Sequence, residues 1–239
     1  MRISLAEAVW TEIPARPTVV VPVGSLEQHG PHLPLETDTV IAQAVSDALA
    51  EAMDEVVLVA PPISYGSSGE HQSFPGTSSI GGKALHGVVV ELVRSIATWV
   101  GRTVFVNAHG GNSSTLGSAV ALMVDERHEV AWVPCVTEGA DLHAGITETS
   151  LMLHLRPGTV RTDMVEPGET RPLREILPLM MAGGIGAVSP NGVLGDPTGS
   201  TASRGEAEFN AIVADVTARV SEWRRDDHGM LRSRTGIRV

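Results

Sequence analysis

Residues 20–38, VVPVGSLEQHGPHLPLETD, carry an apolar, β-branched run straight into a turn crowded with metal-capable side chains. Glu27, His29, His32, Glu36 and Asp38 stand within twelve positions. Carboxylates and imidazoles together suit divalent Zn, Mn or Fe. Glu27 and His29 are two apart, so on an extended segment both point the same way. Asp38 lies beyond a loop held by Pro31 and Pro34. This density at the end of a strand points to a metal site rather than a polar surface loop that happens to hold histidines.

The strand itself, TVVVPV at 18–23, is nearly continuously apolar, as in a parallel strand buried on both faces. Residues 39–53 are helical in composition, with Asp38 or Thr39 as N-cap, and VVLVA at 56–60 is the next strand. The long loop 61–80, rich in Gly, Ser and Pro, leaves the end of that strand, and loops of this length are functional or disordered. Residues 83–100 have apolar positions at helical spacing. Strand 103–108, helix 115–127, strand 129–135 and a short helix 147–155, capped by Thr147, follow.

The stretch 156–202 reads as largely irregular. Its MAGGIGAVSPNGVLGDPTGST lacks the GK[ST] and the preceding strand of a phosphate loop. Residues 203–223 form a closing helix with Phe209, Ile212, Val213, Val216, Val220 and Trp223 on one face. Residues 224–239 are expected as a charged, loosely held tail. No repeat and no linker divides the chain, so 1–239 is expected as a single domain. Strands alternating with helices predict an α/β fold, with a mostly parallel sheet covered on both faces. Ligands of such sheets bind outside the carboxyl ends of the strands.

The composition limits the function classes. With 239 residues, 42% of them apolar and 19% charged, the chain can build a substantial core. A formal net charge of −11 argues against nucleic acid and anionic membrane as partners. The single Cys135 excludes an internal disulfide and a cysteine zinc site, and fits a reducing compartment. Arg2, Glu7 and Glu12 interrupt any signal peptide, and no apolar run approaches the roughly 18–20 residues of a membrane span. The expectation is a cytoplasmic, soluble protein.

Two further strand ends bring chemistry to the same edge. HGGN at 109–112 follows strand 103–108, where Gly110 and Gly111 allow a sharp turn and Asn112 suits a helix cap. His109 is left free to ligate. Beyond strand 129–135 stand Asp141, His143 and Glu148. Glu148 occupies the first turn of its helix, where the dipole favours a carboxylate in any case. His143, beside the small Ala144 and Gly145, is read as the proton-transfer group, with Asp141 able to orient or share that role. Charge supports two divalent ions: Glu27, Asp38 and Glu148 are anionic, His29 and His109 neutral, and one bridging hydroxide completes neutrality. Asp38 is the natural bridging carboxylate. No GxSxG elbow appears, so metal-activated water is the nucleophile on offer. Ser67, Glu70 and His71 in the 61–80 loop are candidate substrate contacts.

These motifs resemble the creatininase (creatinine amidohydrolase) family. The matching pieces are GSLEQHGPHLPLETD at 24–38, GEHQSFPGTSSI at 69–80, NAHGGNSS at 107–114 and DLHAGITETS at 141–150. The resemblance implies a three-layer α/β/α sandwich, a binuclear metal centre, amide-bond hydrolysis and homo-oligomers, hexamers among them. It also implies Glu27, His29, Asp38 and His109 as metal ligands and His143 as a catalytic histidine. Creatininase itself carries a ligand carboxylate where this chain has Gly111, and Glu148 is expected to replace it. The late stretch AVSPNGVLGDPTGSTASRGE at 187–206 draws the resemblance towards peptidases that trim a modified precursor peptide. That implies removal of a C-terminal Val-Tyr dipeptide. The alternatives are an amidohydrolase or deformylase acting on a small non-peptide amide, and a noncatalytic binding subunit with a structural metal.

Overall fold

A computed structural model describes residues 2–137 and 139–232. Four strands of the main sheet form at the apolar runs: β2 (Thr18–Val23), β3 (Val57–Val59), β4 (Arg102–Asn107) and β5 (Val130–Pro134). A fifth, β1 (Arg2–Ser4), is too short to stand out in sequence and pairs at the edge. The order is β1-β3-β2-β4-β5 and every pairing is parallel.

Side-chain alternation splits the core into two layers. Val20, Val104, Val106, Ala131 and Val133 pack with α1 (Thr37–Ala52), α4 (Ile146–Leu155) and α6 (Ala202–Glu222) through Val45, Leu49, Leu151, Ile212 and Val216. Val19, Val21, Leu58, Phe105 and Trp132 face the other way, onto α2 (Gly81–Ile96) and α3 (Ser113–Asp125) through Leu85, Val89, Leu116 and Met123. Both faces of each central strand are therefore buried, which is why β2 shows no polar alternation. The fold is a three-layer α/β/α sandwich around a parallel sheet.

Several local expectations give way to tertiary packing. The stretch read as irregular contains α5 (Leu173–Gly183), which accommodates Pro178 within it. Residues 224–232, expected within the loose tail, instead form a hairpin of β6 (Arg224–Arg225) and β7 (Leu231–Arg232). It docks on the edge of β5: Trp132 N–H donates to the Gly229 carbonyl at 3.1 Å, and Arg225 to the Val130 carbonyl at 3.1 Å. Residues 233–239 of that tail lie outside the described residues. The N-cap of α1 is Glu36, which puts Asp38 inside the first turn, and the N-cap of α4 is Gly145 rather than Thr147. Asn112 precedes α3 without capping it through its side chain. Its amide ties three loops together, accepting from Ser67 N–H at 2.8 Å and donating to Gly24 O at 3.0 Å and Asn107 Oδ1 at 3.2 Å. Among the described residues no helix is long and apolar enough to cross a membrane.

Candidate metal centre

The segments after β2, β4 and β5, with the first turns of α1 and α4, converge at the carboxyl edge of the sheet. Glu27, His29, Asp38, His109 and His143 meet there, all buried. Asp38 stands between two histidines, with Oδ1 3.1 Å from His29 Nε2 and Oδ2 3.5 Å from His109 Nδ1. Glu27 Oε1 lies 3.2 Å from His109 Nδ1, 3.3 Å from His71 Nε2 and 3.8 Å from His143 Nδ1. Glu148 Oε2 comes within 3.9 Å of His29 Nε2. Three overlapping trios have donor atoms close enough to share a cation: Glu27, Asp38 and His109; His29, His143 and Glu148; Glu27, His71 and His143.

Backbone geometry aims several of these groups. His29 Nδ1 donates to the carbonyl of Glu27 at 3.1 Å, leaving Nε2 turned inward. His109 Nε2 donates to the Ser67 carbonyl at 3.1 Å, leaving Nδ1 inward. An outer hydrogen bond of this kind fixes tautomer and ring orientation in metal-ligating histidines. Ala144 sits at φ 52°, a left-handed conformation that costs a residue with a Cβ. Its N–H donates to Glu148 Oε2 at 2.5 Å. A Cβ at Gly111 would come within 2.4 Å of His109 Nε2 and 2.5 Å of Glu70 Oε1, so no side chain fits there.

The residues present fit a cation. Both carboxylate oxygens of Glu27 and Oδ2 of Asp38 are buried and accept no hydrogen bond. Buried carboxylates left in that state are costly unless positive charge is supplied. In the metal-free chain, protons supply it. Burial opposes charge on His29 and His109, but Asp38 beside the first and Glu27 beside the second prevail, raising them to about 10 and about 9. Burial alone would raise the Glu27 carboxyl; His109, His29 and His71 hold it below the usual range. Burial raises Asp38, and burial with the Asp38 charge raises Glu148 to about 7. Burial and neighbouring histidines push His143 well below the usual range, while burial takes His71 down to about 4.

A cavity of about 410 Å³ opens beside these groups. Glu70, His71, Asp141 and Glu148 line it together with apolar residues that include Ile41, Leu142, Leu151, Met180 and Ile185. Asp141 also accepts Thr147 N–H at 3.1 Å, tying its loop to α4. Ser67 contributes its carbonyl behind His109 and is not among the lining residues. Two members of the opening motif point elsewhere: His32 bonds Thr149 Oγ1 at 2.9 Å, and Glu36 pairs with Arg156 at 2.8 Å. Sequence reasoning gave Gln28 no role at the site, and weighed the loop 189–195 only for phosphate binding and within the family resemblance. That loop clamps His143, whose N–H donates to the Leu194 carbonyl at 3.2 Å and whose carbonyl accepts from Leu194 N–H at 2.9 Å.

Comparison with known proteins shows the family of the chain. The sequence profile of the creatininase family, described as creatinine amidohydrolase, matches residues 6–220. The mycofactocin precursor peptide peptidase of Mycolicibacterium smegmatis is 51% identical over 219 residues, covering 90% of this chain and 89% of that protein. The protein of the same name from Mycobacterium tuberculosis (strain ATCC 25618 / H37Rv) is 48% identical, covering 95% of this chain and 94% of its own. The solved structure described as "Creatininase Mn" aligns with a TM-score of 0.79 at 28% identity, over 93% of this chain and 98% of that one. A mutant creatininase of Zn-Zn type aligns at 0.76 and 27%, over 92% of this chain and 97% of that one. With a matching profile over most of its length and relatives near half identity, the chain belongs to the creatininase family of metal-dependent amidohydrolases.

Proposed function

We propose that the protein is a metal-dependent peptidase that removes the C-terminal Val-Tyr dipeptide from the modified mycofactocin precursor peptide. The observation that carries the chemistry is the pair of buried carboxylates, Glu27 and Asp38: both oxygens of Glu27 and Oδ2 of Asp38 lack hydrogen bonds while inward histidine nitrogens face the pair. The substrate rests on the 51% identity to a peptidase of that name. Glu27, Asp38 and His109 would hold one divalent ion and His29, Asp38 and Glu148 a second, with Zn, Fe and Mn all suited to such donors. Bound ions lower the pKa of water from about 15.7 towards about 7 and polarise the scissile carbonyl.

The chain's own residues do the rest. The cavity, about 410 Å³, lies within the roughly 300–1,000 Å³ of small-molecule sites. Its apolar wall takes the aliphatic and aromatic side chains and limits water. Glu70, His71 and Asp141 stand where the peptide's polar groups enter. Water adds to the scissile carbonyl carbon and the C–N bond breaks. His143 Nδ1 takes up the water's proton and passes it to the leaving amine; its place 3.8 Å from Glu27 Oε1, with Nε2 engaged by the Gln28 carbonyl, supports this role. The assembly is further proposed to be a cytoplasmic homo-oligomer, a hexamer by family resemblance.

The test is to incubate the metal-loaded protein with the modified precursor and weigh the products. A precursor shortened by its C-terminal dipeptide, in a reaction stopped by chelation and restored by metal, is the expected result. An intact precursor alongside hydrolysis of a small non-peptide amide would reject the peptidase reading.

A further inference from the structure

The four histidines at the centre are not equivalent. His29, His109 and His143 each donate an outward N–H to a backbone carbonyl, those of Glu27, Ser67 and Gln28. A carbonyl only accepts, so the outward protons are fixed, and the inward nitrogens are the ones that offer lone pairs once a cation displaces the protons His29 and His109 hold in its absence. The outward nitrogen of His71, Nδ1, instead lies 2.9 Å from Nε2 of Gln28.

The Gln28 amide fits in one orientation. Oε1 accepts from Gly30 N–H at 2.9 Å, and Nε2 donates to the Gly192 carbonyl at 3.0 Å. Exchanging oxygen and nitrogen would set donor against donor at one end and acceptor against acceptor at the other. Nε2 has two hydrogens, one engaged by Gly192 and one directed at His71 Nδ1. His143 Nε2 also lies 3.1 Å away, but it gives its own proton to the Gln28 carbonyl at 2.8 Å and is no acceptor. Nδ1 of His71 therefore accepts, and its proton sits on Nε2, 3.3 Å from Glu27 Oε1. Gly192 makes room for this amide: its φ is +80°, and a Cβ there would lie 1.9 Å from Gln28 Oε1.

We propose that Gln28 is a positioning residue that fixes the His71 proton on Nε2, so that His71 stands beside Glu27 as an N–H donor and stays out of the metal-ligand set. The inference rests on the reading of Glu27 as a ligand and is independent of the substrate. It removes the trio Glu27, His71 and His143 as an ion site, because close approach without three lone pairs does not bind a cation.

Histidine 15N NMR on the whole protein, metal-free and loaded with Zn2+, tests the inference by showing which ring nitrogens carry protons or metal. The His71 signals are assigned by their loss in His71→Asn. In the wild type, Nε2 of His71 is expected to stay protonated in both states, while Zn2+ shifts the signals of His29 and His109. Gln28→Glu sets an acceptor against Nδ1, which is then expected to gain a proton. Zn2+ affinity or kcat should fall about 10–100-fold, the usual effect of losing an outer partner of a metal ligand. Gln28→Met keeps the bulk of the side chain and should leave His71 with both tautomers. Zinc on His71 Nε2 in the wild type, an unprotonated Nδ1 in Gln28→Glu, or a wild-type tautomer in Gln28→Met overturns the proposal. A failure to cleave the precursor would count against the peptidase reading and leave the ring protons as measured.

Discussion

His143 reaches the centre through one nitrogen, because its other nitrogen gives a proton to the Gln28 carbonyl at 2.8 Å. As the proton carrier it can be removed without removing a ligand. His143→Ala is expected to keep both metals and the fold and to lose about 10²–10⁴-fold in kcat. Metal content, melting temperature and turnover on one preparation decide this; parallel loss of metal and turnover would make His143 a ligand instead. That Glu27, His29, Asp38, His109, His143 and Glu148 converge was legible, because acids and imidazoles at three strand ends have few other reasons to gather. Gln28 was not, since its acceptor, the Gly192 carbonyl, stands 164 positions away. His32 looked equivalent to His29, and only the fold shows that it faces Thr149.

Among the elements, α4 carries Glu148 and is braced chiefly by α6. Gly205 of α6 passes so close that a Cβ would lie 1.8 Å from the Ser150 carbonyl. Thr201 fixes the start of α6 by accepting Arg204 N–H at 3.1 Å. Thr201→Ala should lower stability by about 1 kcal/mol, or about 2–4 °C in Tm, with kcat unchanged because Thr201 does not line the cavity. Thermal melts beside turnover check it, and a large loss of turnover would show that α6 positions Glu148 more directly. The continuous apolar runs and the helical apolar spacing exposed most of these elements in advance. Those that escaped are intelligible: α5 has Pro178 inside it, and the hairpin 224–232 is rich in charge and makes its stabilising contacts with distant β5.

At the scale of the whole molecule, the buried carboxylates make stability depend on what neutralises them. Without metal, His29 and His109 hold protons up to about 10 and about 9, above the ordinary 6.5. The folded state then binds more protons than the unfolded, so this stabilisation is full below about pH 6.5 and lost as pH rises through 9–10. Chelated protein should melt progressively lower from about pH 7 to about pH 10, while loaded protein should change less, because the cation replaces those protons. Melting curves with and without chelator test this, and parallel pH profiles would count against metal at these residues. The docked hairpin has its own consequence, for a chain emerging during synthesis. Residues 224–232 are made after the strand they cover, so β5 first meets solvent with a bare row of N–H and C=O groups, a template for another chain. A chain ended at Trp223 should therefore precipitate on standing, seen as rising light scattering, while a clear solution would show that the edge needs no cover; where this protein is produced, its yield hangs on a segment that touches none of the proposed ligands.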